Sequence, residues 1–186
     1  HAMAGIMNGM ALHKGIIPYA GTFLCFLDYM KPSVRLSALM KQQIIYVFTH
    51  DSIGLGEDGP THQAVEQLLM WRAIPNLNTF RPCNLQEVLE CYEIALVQKE
   101  TPSAMVLTRQ SVPFLSSGSS AENYSEKGAY IFSQTALGID PDVTIIATGS
   151  EVGLAMKVKE KLHDYGYAVR VLSAPCLELF DKQSVE

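Results

Sequence analysis

The 186 residues hold 48% apolar and 18% charged side chains with a net charge of −5, a balance that suits a folded chain long enough to bury a core. No basic stretch offsets the negative charge, which excludes a general attraction to nucleic acid or to an anionic membrane surface. No apolar run reaches the roughly eighteen residues a membrane helix needs, and the first residues lack the charged-then-apolar layout of a signal peptide. In chain order, residues 2–14 read as helix and 16–19 as a short buried strand. Residues 22–31 read as helix, and Pro32, which lacks an N–H, predicts a break before a second helix over 33–41. The run Ile44-Ile45-Tyr46-Val47-Phe48 reads as a strand, followed after a loop by helix over 63–72 and strand over 77–80. Leu85, Val88, Leu89, Tyr92 and Leu96 mark one face of an amphipathic helix. A further strand over 104–108 ends at Arg109. Strands alternating with helices at this spacing predict an α/β fold, a mostly parallel sheet flanked by helices.

Residues 116–127 are rich in Ser, Gly and Asn and read as a linker. Beyond them come a strand over 143–147, a helix with the stripe Leu154, Val158 and Leu162, and a strand over 168–172. This is the beginning of a second α/β domain, and two strands alone leave open edges and an uncovered face. Cys25, Cys83, Cys91 and Cys176 are scattered without metal-ligand spacing, so reduced thiols in a cytoplasmic protein are expected.

The densest chemistry lies in Thr49-His50-Asp51-Ser52-Ile53-Gly54-Leu55-Gly56-Glu57-Asp58-Gly59-Pro60-Thr61-His62-Gln63. Gly54, Gly56 and Gly59 let the backbone turn sharply and approach a ligand closely. A structural loop with Asx turns at Asp51 and Asp58 would explain the glycines. It explains less well two histidines with acidic neighbours at the carboxyl end of a strand, where open α/β sheets gather their chemistry. Phe23, Phe26 and Tyr29 recur every three residues, so on a helix they would spread over about a third of its circumference. By spacing alone they read as core.

The loop resembles the substrate loop of the transketolase family. The resemblance extends to His1-Ala2-Met3, Pro18-Tyr19, Thr22-Phe23-Leu24, Arg81-Pro82-Cys83, Arg109-Gln110 and Ala147-Thr148-Gly149-Ser150-Glu151-Val152, and so to nearly the whole chain. It implies that residues 1–127 are the later part of a pyrimidine-binding domain and 128–186 the truncated start of a C-terminal domain. The implied activity is transfer of a two-carbon ketol unit between sugar phosphates in the pentose phosphate pathway, with thiamine diphosphate as cofactor and a homodimer whose cofactor site lies at the subunit interface. On this mapping His62 is the catalytic residue over the thiazolium and also contacts substrate oxygens, as a group titrating near neutral pH can. Asp58 would read a donor-sugar hydroxyl, since an ionised carboxylate only accepts. His50 and Arg109 would hold the substrate phosphate, the guanidinium offering a planar fork. Phe23, Phe26 and Tyr29 would form the pocket for the aminopyrimidine ring.

In that family a catalytic glutamate directly precedes the His-Ala-Met triplet, and the ligands of magnesium (or calcium) and of the diphosphate lie in another domain. No metal site is therefore expected within these residues, and the 186 residues alone are expected to be inactive. Dihydroxyacetone synthase resembles the family in this loop and is an alternative. A non-catalytic folding or dimerisation module is another, while deoxyxylulose-phosphate synthase matches well only around Asp58-Gly59-Pro60-Thr61-His62.

Overall fold

A computed structural model of the chain describes residues 1–115, 122–135, 138 and 140–184. Two units divide the chain, one formed by His1–Phe80 with Tyr92–Ser111 and the other by Arg81–Cys91 with Val112–Glu186. Of the expected linker, residues 116–121 lie outside the described residues.

The first unit begins with helix α1, Ala2–His13. Strand β1, Tyr19–Phe23, runs into a 3₁₀ turn at Leu24–Phe26 and then helix α2, Leu27–Leu39. Strand β2, Ile45–Thr49, leads by way of a long loop to helix α3, Gln67–Arg72, and strand β3, Asn78–Phe80. The unit closes with the later residues of helix α4, Leu85–Val97, and with strand β4, Ser103–Val106. The four strands are parallel in the order β1-β2-β4-β3. β2 pairs with β1 on one side and β4 on the other, so it is an inner strand, and Tyr46 and Phe48 on it are essentially fully buried. They pack with Trp71, which stacks obliquely on Phe48 with ring centroids 4.8 Å apart, and with Leu24, Leu27, Val34 and Leu77. The Tyr46 hydroxyl reaches Ser37 Oγ at 2.6 Å, and Ser37 in turn donates to Asn8 Oδ1 at 2.6 Å, so α1, α2 and β2 are tied by a buried polar chain. Buried hydroxyls need such partners, since an orphaned one costs about 1–3 kcal/mol.

Several expected boundaries move. The strand expected at 16–19 is β1 instead, placing Thr22 and Phe23 at a strand end rather than in a helix. Pro32 does not break the helix but lies inside α2. Its side chain is exposed, and Leu27, Met30, Val34 and Ala38 on the opposite face are buried. Burial of such side chains contributes about 1.5–3 kcal/mol each for the larger ones, against about 3 kcal/mol lost to an internal proline. The helix expected over 63–72 is shortened to α3. Gln67 explains this, because its Oε1 accepts from Val65 N at 2.9 Å and its amide donates to Asp28 Oδ1 at 3.2 Å, which holds the preceding turns outside the helix. The expected apolar face of α4 is also wrong, since Leu85, Leu89 and Leu96 are exposed while Glu87, Glu90, Cys91, Ile94 and Ala95 are buried.

In the second unit, strand β5, Tyr130–Gln134, precedes β6, Val143–Ala147, helix α5, Glu151–Asp164, strand β7, Val169–Ser173, and the short helix α6, Leu177–Phe180. The sheet order is β5-β7-β6, with β5 antiparallel and β6 parallel to β7. Among the described residues three strands therefore stand where two were expected. Tyr130 and Phe132 point inward and Ile131 outward, a period-two pattern that marks β5 as a strand with one buried face. The stripe expected on α5 is likewise turned, with Leu154 and Val158 exposed and Val152 and Ala155 buried. The early residues of α4 carry the polar anchors of this unit. Asn84 caps the helix by accepting from Glu87 N at 2.8 Å. Glu87 accepts from Cys83 N at 2.7 Å, Tyr130 Oη at 2.8 Å and Ser173 Oγ at 2.5 Å. Glu90 accepts from Ser125 N and Oγ at 3.0 and 2.7 Å. Arg81, almost wholly buried, grips Glu151 in the first turn of α5 with contacts of 2.6 and 3.2 Å, and a carboxylate there also suits the positive end of the helix dipole.

Candidate functional site

In a parallel sheet the carboxyl ends of neighbouring strands emerge side by side, and the register decides which residues meet there. Phe23 at the end of β1 pairs with Thr49 at the end of β2. His50 follows immediately with φ 59, a left-handed backbone, and its imidazole stacks on the Phe23 ring with centroids 3.5 Å apart and planes 21° apart. A left-handed conformation costs a side-chain-bearing residue about 1–2 kcal/mol, and ring stacking returns about 0.5–1.5 kcal/mol. A hydrogen bond between Thr49 Oγ1 and His50 Nδ1, 2.8 Å, adds to that return.

The loop after β2 makes a 3₁₀ turn at Ile53–Leu55 and then reverses through Gly56 and Gly59, with φ 89 and 78. Only glycine adopts such angles at no steric cost. Gly54 serves differently. A Cβ there would overlap the Gln110 side chain, so the absence of a side chain lets the loop after β2 close on the segment after β4. Leu107 N donates to Phe48 O at 2.7 Å and holds that segment in place.

The reversal brings His62 back to the aromatic residues. Its ring stands edge-on to Phe26 at 5.7 Å and 87°, and edge-on to Phe23 at 6.3 Å and 77°. Its Nδ1 lies 2.9 Å from Thr61 Oγ1. Phe23 and Phe26 stack at 6.2 Å, and Tyr29 adjoins Phe26 at 6.2 Å. The trio does not ride on one helix, as its spacing suggested. Phe23 ends β1, Phe26 ends the 3₁₀ turn and Tyr29 lies in α2. Tyr29 is 70% and Phe26 37% exposed, so the rings present an open flat surface rather than core.

Of the residues singled out in the sequence, the structure thus gathers Phe23, Phe26, Tyr29, His50 and His62. Asp58 and Arg109 are both exposed. Asp58 lies in the turn between Gly56 and Gly59, and Arg109 lies three residues past the end of β4, the strand beside β2. Thr49, Thr61 and Gln110 are participants that the sequence reading did not single out, although each threonine directly precedes a histidine of the loop. Among the described residues no group of three or more His, Cys, Asp or Glu could hold a metal ion. Chemically the site offers two ring nitrogens beside an aromatic surface, suited to a flat heteroaromatic ligand and to the oxygens of a polar one.

Residues 1–114 match the family described as "Transketolase, pyrimidine binding domain", and residues 128–186 match "Transketolase-like TK C-terminal domain". A transketolase of Sinorhizobium medicae is 55% identical over 186 residues, 100% of this chain and 26% of that protein. A solved transketolase structure from Leishmania mexicana superposes with a TM-score of 0.92 at 44% identity, covering 99% of this chain and 27% of that one. A more distant structure, a split gene transketolase described as an inactive β4 tetramer, is 25% identical with a TM-score of 0.76, covering 92% of this chain and 53% of that one. The chain thus spans about a quarter of the length of the curated relatives it matches.

Proposed function

The chain belongs to the transketolase family, and on that premise we propose that the whole protein moves a two-carbon ketol unit from a ketose phosphate such as xylulose 5-phosphate to an aldose phosphate in pentose phosphate metabolism. The observation that carries this reading is the convergence of His50 and His62 on the rings of Phe23 and Phe26. That surface fits the aminopyrimidine of thiamine diphosphate, which Phe23, Phe26 and Tyr29 would hold by stacking, at about 0.5–1.5 kcal/mol per ring pair beyond burial. When bound, the cofactor supplies the electron sink for breaking and making the carbon–carbon bond.

The residues of this chain would position substrate and handle protons. His62 takes the catalytic role, donating to and accepting from the donor-sugar oxygens at its Nε2. Asp58 accepts from a donor-sugar hydroxyl and selects its configuration. His50 and Arg109 bind the phosphate, Arg109 through its guanidinium fork. The assembly is a homodimer that completes the cofactor site at its interface, with magnesium or calcium held by residues elsewhere in the protein. Residues 1–127 would form the later part of the pyrimidine-binding domain and 128–186 the start of the C-terminal domain. The buried thiols of all four cysteines suit a reducing compartment such as the cytoplasm. The split gene relative described as inactive supports the view that the 186 residues by themselves do not turn over.

In the full-length protein, Arg109→Ala is expected to raise KM for phosphorylated ketoses about tenfold or more, the size of a lost charge-assisted hydrogen bond, and to leave KM for unphosphorylated ketoses nearly unchanged. Equal effects on both substrates in steady-state kinetics would refute the phosphate role.

A further inference from the structure

Both histidines of the site follow a threonine, and in both pairs the threonine hydroxyl lies on the imidazole Nδ1, at 2.8 Å for Thr49–His50 and 2.9 Å for Thr61–His62. The two pairs sit on different backbones. His50 is left-handed with φ 59 at a strand end, whereas His62 lies in a turn closed by its N–H on Gly59 O at 3.1 Å. The same pair of atoms is therefore joined by two unrelated local geometries. Outside the site His13 follows a leucine, and its Nδ1 lies against the backbone oxygen of Lys14 at 3.3 Å.

An imidazole whose Nδ1 is occupied meets a ligand only through Nε2, and the partner of one nitrogen sets the proton on the other. Phosphate oxygens are met by a donor, and a sugar hydroxyl oxygen accepts from one in the same way. We propose that Thr49 and Thr61 are positioning residues of the transketolase reaction, each donating its hydroxyl to the following histidine's Nδ1 and so keeping the proton on Nε2, toward substrate. Thr49 thereby orients His50 for the phosphate and Thr61 orients His62 for the donor-sugar oxygens. This assignment rests on the functional reading above. A valine at either position keeps the shape and loses the hydroxyl. The neutral ring then divides between its two tautomers and rotates more freely.

The test is steady-state kinetics of the full-length protein carrying Thr49→Val, Thr49→Ser, Thr61→Val or Thr61→Ser, with xylulose 5-phosphate and unphosphorylated xylulose as donors. Thr49→Val should raise KM about 3- to 10-fold for the phosphorylated donor only, the weight of one neutral hydrogen bond. Thr61→Val should lower kcat by a similar factor with both donors. Each serine variant should recover to within about twofold of the parent, because serine retains the hydroxyl. Valine variants with parental kinetics, or serine variants as impaired as valine, would overturn the proposal. His50→Gln and His62→Gln run in parallel separate the two levels: parental kinetics there would remove the functional reading itself. Should a valine variant fail to fold, nitrogen-15 NMR of histidine-labelled parent protein decides. Protons on Nε2 of His50 and His62 support the assignment, and protons on Nδ1 of the neutral rings refute it.

Discussion

His50 shows how a single residue can be held in an unfavourable backbone by its neighbours. Its left-handed conformation is offset by the Phe23 ring on one side and the Thr49 hydroxyl on the other, terms of about 1 kcal/mol each that balance the steric cost. The histidines themselves were legible in the sequence because residue type and crowding pointed to them. Thr49 and Thr61 were not, since threonine next to histidine has many unremarkable uses. Tyr46 illustrates a different control. Burial pushes its hydroxyl up to about 12 from an ordinary value of 10, the Ser37 contact opposing the shift. The folded value lies above the unfolded one, so the neutral phenol contributes stability that is fully present below about pH 10 and lost between about pH 10 and 12. The contribution is about 2–3 kcal/mol. Thermal unfolding followed from pH 9 to 12 should show a fall in Tm that flattens in Tyr46→Phe. Burial raises the Cys83 and Cys91 thiols as well, and their part of the alkaline loss should persist in that variant.

At the scale of elements, α2 is the clearest contest between local preference and packing. Pro32 removes the N–H that would bond to Asp28 O, yet the helix runs through it because its opposite face is buried. Pro32→Ala should therefore restore a hydrogen bond without losing packing, since the proline is exposed. The expected gain is about 1–2 kcal/mol, the helix penalty of proline less the chain entropy that proline removes from the unfolded state. Chemical denaturation would register this as a higher midpoint at unchanged slope, and an unchanged or lower midpoint would count against the argument. Helix α4 departs from its apolar pattern for a related reason. Its leucines follow a helical period, but three carboxylate-accepting contacts of Glu87 and two of Glu90 turn the polar side inward. Periodicity predicts the buried face only when the neighbours supply no donors for buried carboxylates.

At the scale of the whole molecule, stability rests on contacts between residues far apart in the chain. Glu87 joins Tyr130 and Ser173 through a single carboxylate oxygen while its other oxygen receives Cys83 N. Glu87→Ala would remove the carboxylate that three buried donors share, and such losses cost about 1–3 kcal/mol each before relaxation. A destabilisation of about 3–5 kcal/mol, the sum of such losses after partial relaxation, is expected in equilibrium unfolding. Glu87→Gln, which keeps one acceptor oxygen, should lose less. If Ala and Gln behave alike, or if both are neutral, the carboxylate is not the anchor described.

Residue order alone carried the alternation of strands and helices and the chemical richness of the loop after β2. These depend on local periodicity, on glycine and proline, and on side-chain types, all of which are properties of short segments. Folding decided which of these residues meet. The Phe23–Thr49 register sets His50 on an aromatic ring, the reversal at Gly56 and Gly59 returns His62 to the same rings, and Gln110 fills the space that Gly54 leaves open. Strand β5 and the buried carboxylates of α4 were settled in the same way, by partners dozens of residues distant. Such pairings depend on sheet register and on the supply of donors across the fold, and no single segment contains that information.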